Sequence, residues 1–192
     1  LINLNLFIEL LAASTGVASV WFAKRNSIWV YPVGLVSVLL YVQICYQFGL
    51  YADMVVNAYY FIISVYGWYH WTHKSGEKKD REIGRLSHLS NLLMALGSIG
   101  LTYLIFKILQ NYTDSTVPLW DAFSTSMFVF AMLAMALRKI EHWIYWIIGD
   151  LVAIPLFLSK ELMLTSIQYF FFLILAVWGF VEWMRLMKKN EV

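Results

Sequence analysis

Seven stretches of mostly apolar residues, each about the length of a membrane-crossing helix, occupy nearly all of this 192-residue chain. A helix needs about 20 such residues to cross a hydrocarbon core ~30 Å thick, and in lipid every backbone N–H and C=O must be satisfied within the span. The stretches are Leu4–Phe22, Trp29–Phe48, Asp53–Trp71, Ser90–Leu109, Leu119–Leu137, Trp143–Ser159 and Leu162–Leu186. Charged residues make up 14% of the chain, little more than half of the roughly 25% usual in soluble domains, too few to cover a water-soluble particle. The expected fold is therefore an all-α polytopic membrane protein with seven transmembrane helices. The first stretch lacks a basic start and carries Glu9, so it is expected to be a span and not a removable signal peptide. Pro155 lies inside the sixth and is expected to kink or break it.

Orientation follows from the basic residues. Lys24, Arg25, Lys74, Lys78, Lys79, Arg81, Arg85, Arg138, Lys139, Arg185, Lys188 and Lys189 fall on one side, and only Lys107 and Lys160 on the other. The basic side is cytoplasmic by the positive-inside rule, which puts the N-terminus outside and the C-terminus inside. A net charge of +2 gives no reason to expect a nucleic-acid partner; the lipid bilayer is the expected surroundings. Cys45 is the single cysteine and cannot form an internal bridge. His70 and His73 have no third ligand at helical spacing, so the pair reads as interfacial and not as a metal site.

The chain repeats itself. Gly67 and Trp71 at the end of the third span match Gly179 and Trp183 at the end of the seventh, and Tyr59 and Tyr60 match Phe171 and Phe172, at a shift of 112. Trp29-Val30-Tyr31 opening the second span resembles Trp143-Ile144-Tyr145 opening the sixth, at a shift of 114. Spans 1–3 and 5–7 thus read as two copies of one three-helix unit. Four crossings separate them, so the copies run parallel, with span 4 as linker. The expected organisation is residues 1–72 as the first three-helix repeat, 73–118 as the cytoplasmic loop plus linker transmembrane helix, and 119–192 as the second repeat. Parallel repeats related by an axis along the membrane normal are a transporter architecture, with the substrate near the midplane.

Polar groups inside the spans are the candidate site. Asp53, Asn57, Tyr60, Ser64, Gly67 and Trp71 share one face of the third span. That stripe reads either as a helix–helix seam or as a wall of a substrate pocket. Its second-copy counterpart is Thr165, Tyr169, Phe172, Ala176, Gly179 and Trp183, with Gln168 beside it. In the sixth span Trp143, Trp146 and Asp150 share a face, and Asp150 sits about 10 Å inside the cytoplasmic end at ~1.5 Å per residue. Its carboxylate either hydrogen-bonds a neighbouring hydroxyl or backbone freed by Pro155, or it is the counter-charge to a cationic substrate stacked on Trp146. Glu9 invites the same two readings, and Gln43 is a weaker candidate. No Walker A, HExxH or GxSxG sequence and no paired cysteines are present, so no cofactor, metal or enzymatic chemistry is expected.

Three runs carry a family likeness: Trp29-Val30-Tyr31-Pro32-Val33-Gly34, Gly49-Leu50-Tyr51-Ala52-Asp53-Met54 and Tyr66-Gly67-Trp68-Tyr69-His70-Trp71. With Asp121-Ala122-Phe123-Ser124-Thr125, Arg138 through Trp146, and Asp150, they resemble the PnuC family over nearly the whole chain. The resemblance implies uptake of a vitamin, typically nicotinamide riboside, with relatives taking thiamine or riboflavin. It also implies a fold like duplicated semiSWEET units, a homotrimer, facilitated diffusion across the bacterial cytoplasmic membrane, and trapping of the small-molecule substrate by a cytoplasmic kinase. The family's tryptophan-rich sixth helix falls on Trp143 and Trp146, and its acidic position on Asp150. Where the nicotinamide riboside pattern has a glutamine after the fifth-helix alanine and an asparagine before the sixth-helix tryptophan, this chain has Met132 and His142. A thiamine transporter and a vitamin-binding membrane receptor that moves nothing are the alternative functions.

Overall fold

The computed structural model describes residues 2–47, 49, 51–73 and 82–190. Lys74, Glu77, Lys78, Lys79, Asp80 and Arg81 of the expected inner loop lie outside the described residues. Among the described residues seven helices follow in order: α1 (Ile2–Lys24), α2 (Val30–Gln47), α3 (Tyr51–Thr72), α4 (His88–Tyr112), α5 (Pro118–Ala136), α6 (His142–Ser159) and α7 (Met163–Asn190). By length and composition six of them are able to cross a membrane. The exception is α3, which is 22 residues long but diluted by Asp53, Asn57, His70 and five tyrosines. Pro118 opens α5, where a missing N–H costs nothing. The expectation at Pro155 is not met as a break: α6 continues through it to Ser159.

The chain forms two compact units. One comprises Leu1–Glu82 with Ala136–Arg138, the other Ile83–Met135 with Lys139–Val192. In the first, α1 packs on α2 and α2 on α3. Small residues let the backbones close, and hydroxyls supply hydrogen bonds where no water is available. Ser37 Oγ donates to Ala12 O (2.8 Å) and Ser19 Oγ to Val30 O (2.8 Å). The Tyr31 ring lies against Gly67 and meets Trp71 edge-on, with centroids 5.2 Å apart at 89°. Arg138 is buried here, its Nε donating to Asn26 Oδ1 (3.0 Å) and its guanidinium carbon 4.6 Å from the Trp71 centroid. Stacking on an indole and bonding an amide oxygen offset the cost of burying that cation.

In the second unit α6 packs on α7, Ser126 Oγ donates to Ser98 O (2.8 Å) and Ser166 Oγ to Ile154 O (2.9 Å). Trp143 lies against Gly179 and meets Trp183 edge-on at 6.0 Å and 87°. The segment before α4 is tied to the α5–α6 turn: Ile140 N donates to Gly84 O (3.0 Å) and Leu86 N to Glu141 Oε2 (3.1 Å). Ser87 then caps α4, its Oγ accepting from Ser90 N, as N-cap serines do. At the opposite end Lys160 Nζ pairs with Asp121 Oδ1 (2.5 Å), while Ser115 Oγ donates to Asp121 Oδ2 (2.7 Å).

The two units are built to one plan. Helix limits Lys24, Val30, Gln47 and Tyr51 in the first recur as Ala136, His142, Ser159 and Met163 in the second, each 112 positions on. The same spacing relates the left-handed turn residues: Asn26 (φ 52°) to Arg138 (φ 57°), and Gly49 (φ 70°) to Glu161 (φ 61°). It also relates the ring-on-glycine contacts, Tyr31–Gly67–Trp71 becoming Trp143–Gly179–Trp183. The 114-residue match of Trp29 with Trp143 is therefore two positions off. The turn lengths agree, so no gap is needed, and Tyr31 is the residue that occupies the place of Trp143.

Candidate functional site

Each candidate residue is placed by the helix that carries it. In the first unit Glu9 and Gln43 are exposed, and Asn57 and Tyr60 are half-buried. Asn57 Nδ2 donates to Asp53 O one turn earlier (2.9 Å), and Tyr60 tilts against Tyr59 with centroids 5.8 Å apart. The other half of the α3 stripe is closed: Ser64, Gly67 and Trp71 are buried. The stripe is thus a packed seam from Ser64 onward and more open at Asp53, Asn57 and Tyr60.

The second unit carries Trp143, Trp146, Asp150 and Gln168. Trp143 is fully buried between Gly179, Trp183 and His142, its ring centroid 4.4 Å from that of His142. It is a packing residue of the α6–α7 contact, and its indole N–H finds no hydrogen-bond acceptor among the described residues. Trp146 is half-buried and stacks on Phe128 of α5 (5.3 Å, 30°). Phe128 in turn stacks on Tyr169 of α7 (5.6 Å, 10°), and Tyr169 on Phe157 of α6 (5.1 Å, 7°). Four rings from three helices form one slab.

Phe128 reaches Trp146 because α6 presents Gly149, whose missing side chain leaves the space the Phe128 ring fills. In the first unit the equivalent pair is Gly16 and Ser37, with the small residue on the other helix. The exchange puts an aromatic face in the second unit where the first has a serine hydroxyl bonded to backbone. Two of the slab's rings, Phe128 and Phe157, escape notice in the sequence, because a phenylalanine in an apolar helix carries no signal of its own. The internal repeat was the available clue, since it sets Phe128 opposite a glycine.

Asp150 lies on the same face of α6 as Trp146 and Phe157, between them at helical spacing. It is 1% exposed, and its Oδ1 has no hydrogen-bond partner among the described residues. Among the described residues neither a hydroxyl nor a backbone group bonds that oxygen. Lys160, beside the slab with Nζ 5.9 Å from the Phe157 centroid, is held by Asp121. Gln168 is half-buried next to Tyr169 in sequence. An acidic oxygen without a bonded partner, beside stacked rings, can receive a planar cation: the rings supply quadrupole attraction and the carboxylate a counter-charge. His142 is fully buried, with Nδ1 2.7 Å from Lys139 O and Nε2 unpartnered among the described residues, and Met132 is buried. No group of three or more metal-ligating side chains occurs among the described residues.

Seven helices among the described residues, most of them long and apolar, define an all-α multi-pass membrane protein. Within that class the chain belongs to the nicotinamide mononucleotide transporter family, whose model matches residues 6–185. It is 23% identical over 204 residues to the nicotinamide riboside transporter PnuC of Escherichia coli (strain K12), an alignment covering 93% of this chain and 85% of that protein. It is 26% identical over 201 residues to the nicotinamide riboside transporter PnuC of Neisseria mucosa, covering 98% and 76%. The riboflavin/roseoflavin transporter RibM of Streptomyces davaonensis is 23% identical over 174 residues, covering 88% and 80%. A crystal structure of the vitamin B3 transporter PnuC matches with a TM-score of 0.73 at 26% identity, over 95% of this chain and 83% of that one. The resemblance to the PnuC family is confirmed, and these relatives are transporters, not enzymes.

Proposed function

We propose that this protein carries nicotinamide riboside across the bacterial cytoplasmic membrane by facilitated diffusion. The observation that carries the reading is Asp150, buried in α6 with Oδ1 unpartnered and flanked on its helix face by Trp146 and Phe157 of the aromatic slab. Nicotinamide riboside has a flat pyridinium ring. The ring stacks on Trp146, its positive charge answers Asp150, and Gln168 offers a hydrogen-bonding group to the ribose and carboxamide; in the first unit Asn57 and Tyr60 are the polar groups proposed to meet the substrate on its way. Glu9 and Gln43, at the far ends of α1 and α2 from the basic turns, belong to the outer approach. The relatives named for nicotinamide riboside support the choice of ligand. In this reading the protein is a homotrimeric transporter with its N-terminus outside, and a cytoplasmic kinase traps the substrate.

Thiamine is the second reading, because it too is an aromatic cation and because Met132 and His142 replace two amides of the nicotinamide riboside pattern. A site that has lost a hydrogen-bonding group discriminates poorly for the ligand that needed it. Uptake of labelled nicotinamide riboside into proteoliposomes, competed with unlabelled thiamine and riboflavin, separates the readings. Competition by unlabelled nicotinamide riboside at the lowest concentration is expected. Thiamine winning by about tenfold, ~1.4 kcal/mol, reassigns the substrate, and saturable binding without uptake makes the protein a receptor.

A further inference from the structure

Between α4 and α5 runs an open groove of about 340 Å³, unrelated to the aromatic slab. Ser98, Thr102 and Phe106 of α4 form one wall, and Leu119, Phe123 and Met127 of α5 the other. Its surface is apolar even at the hydroxyls, because Ser98 Oγ donates to Ala95 O and Thr102 Oγ1 to Ser98 O. From Ser98 to Phe106 is eight residues, about 12 Å at ~1.5 Å per residue. That is close to the ~15 Å depth of one leaflet, half of a ~30 Å hydrocarbon core. Ile99 and Tyr103, which also line it, and Leu96 beside it are more than half exposed, as side chains facing acyl chains are.

At the end of the groove, one residue beyond Phe106, stands Lys107. It is exposed and pairs with no carboxylate among the described residues. Its Nζ lies 5.8 Å from the Tyr103 centroid and 5.7 Å from that of Phe106, and donates to Gln110 Oε1 at 3.5 Å. The aliphatic stem thus lies along the aromatic wall while the ammonium is held at the groove's mouth, the posture of a lysine reaching for the headgroup level. We propose that the groove holds one acyl chain of an anionic phospholipid, with the lipid phosphate on Lys107 and the chain running from Phe106 toward Ser98. Charge complementarity decides the class of lipid: a cation without a carboxylate partner at the mouth of a groove that is apolar throughout matches an amphiphile whose head is anionic and whose tail carries no hydrogen-bonding group.

The test is native mass spectrometry of the full-length protein in detergent, with added phosphatidylglycerol or phosphatidylcholine. Wild type is expected to retain phosphatidylglycerol roughly fivefold better, the preference one lysine confers near a phosphate surface. Thr102→Trp fills the groove and is expected to abolish retention of both lipids. Lys107→Gln, at an exposed position that leaves the fold untouched, is expected to keep the phosphatidylcholine level and lose the preference. Retention of phosphatidylglycerol by Thr102→Trp at the wild-type level overturns the proposal, as does an undiminished preference in Lys107→Gln. A change of oligomeric mass in Thr102→Trp with lipid retention unaltered also overturns it, by making the groove a seam between copies.

Discussion

Asn at position 150 is expected to erase the protein's preference for a cationic ligand while leaving it folded in the membrane. A carboxylate buried in the hydrocarbon region costs several kcal/mol unless a partner is found, and Oδ1 of Asp150 has no hydrogen-bond partner among the described residues. An arriving pyridinium recovers part of that cost; an uncharged ring of the same shape recovers none. Wild type is therefore expected to bind nicotinamide riboside about tenfold or more tighter than its neutral reduced form, a difference of only ~1.4 kcal/mol. Asp150→Asn keeps the shape and is expected to bring the two affinities together. Trp146→Ala removes the stacking face and is expected to weaken the cation by a further ~0.5–2 kcal/mol. Isothermal titration of the three proteins with both ligands checks this. Equal affinities in wild type show Asp150 to be a structural carboxylate.

The second large effect is on folding. A Cβ added at Gly179 would stand 2.5 Å from Cζ2 of Trp143 and 2.6 Å from Cη2. The indole has no room to retreat, since it is fully buried and meets Trp183 edge-on and the His142 ring. Gly179→Ala is expected to cost ~1–3 kcal/mol, the range for overpacking a filled interior. The equivalent Gly67→Ala, against the Tyr31 ring, is expected to behave alike. Gly100 supplies the control: it lies in α4 with nothing within 4 Å of an added Cβ, so alanine there only improves helix propensity. Thermal unfolding in detergent reads the contrast, with Gly179→Ala and Gly67→Ala lowered and Gly100→Ala level or raised.

The helices were legible from the sequence because lipid enforces a length and an apolarity that few other folds share. The repeat was legible at Gly67 and Gly179, where a ring needs a missing side chain. It was misaligned by two residues at the start of α2 because identical letters were matched there. What the two units share is a role, an aromatic ring on a glycine, filled by Tyr31 in one and Trp143 in the other. Asp150 and Trp146 stood out as polar and aromatic groups at helical spacing. Phe128 and Phe157 did not, since their part in the slab depends on the pairing of three helices. The Asp121–Lys160 pair joins residues 39 apart in sequence, beyond any local pattern, and the second copy's Asp121 is the counterpart of Glu9 in the first.

Facilitated diffusion is the central claim, and the steady-state distribution of labelled nicotinamide riboside tests it most directly. Glu9 and Asp150, the two acidic residues proposed for the site, lie in different units, and in facilitated diffusion neither carries a coupling proton. In proteoliposomes containing the purified protein, without ATP or a kinase, internal and external concentrations are expected to become equal. An imposed pH gradient is expected to leave that ratio at unity. Accumulation above the external concentration when the pH gradient is applied contradicts the account and makes Glu9 or Asp150 the leading proton carrier.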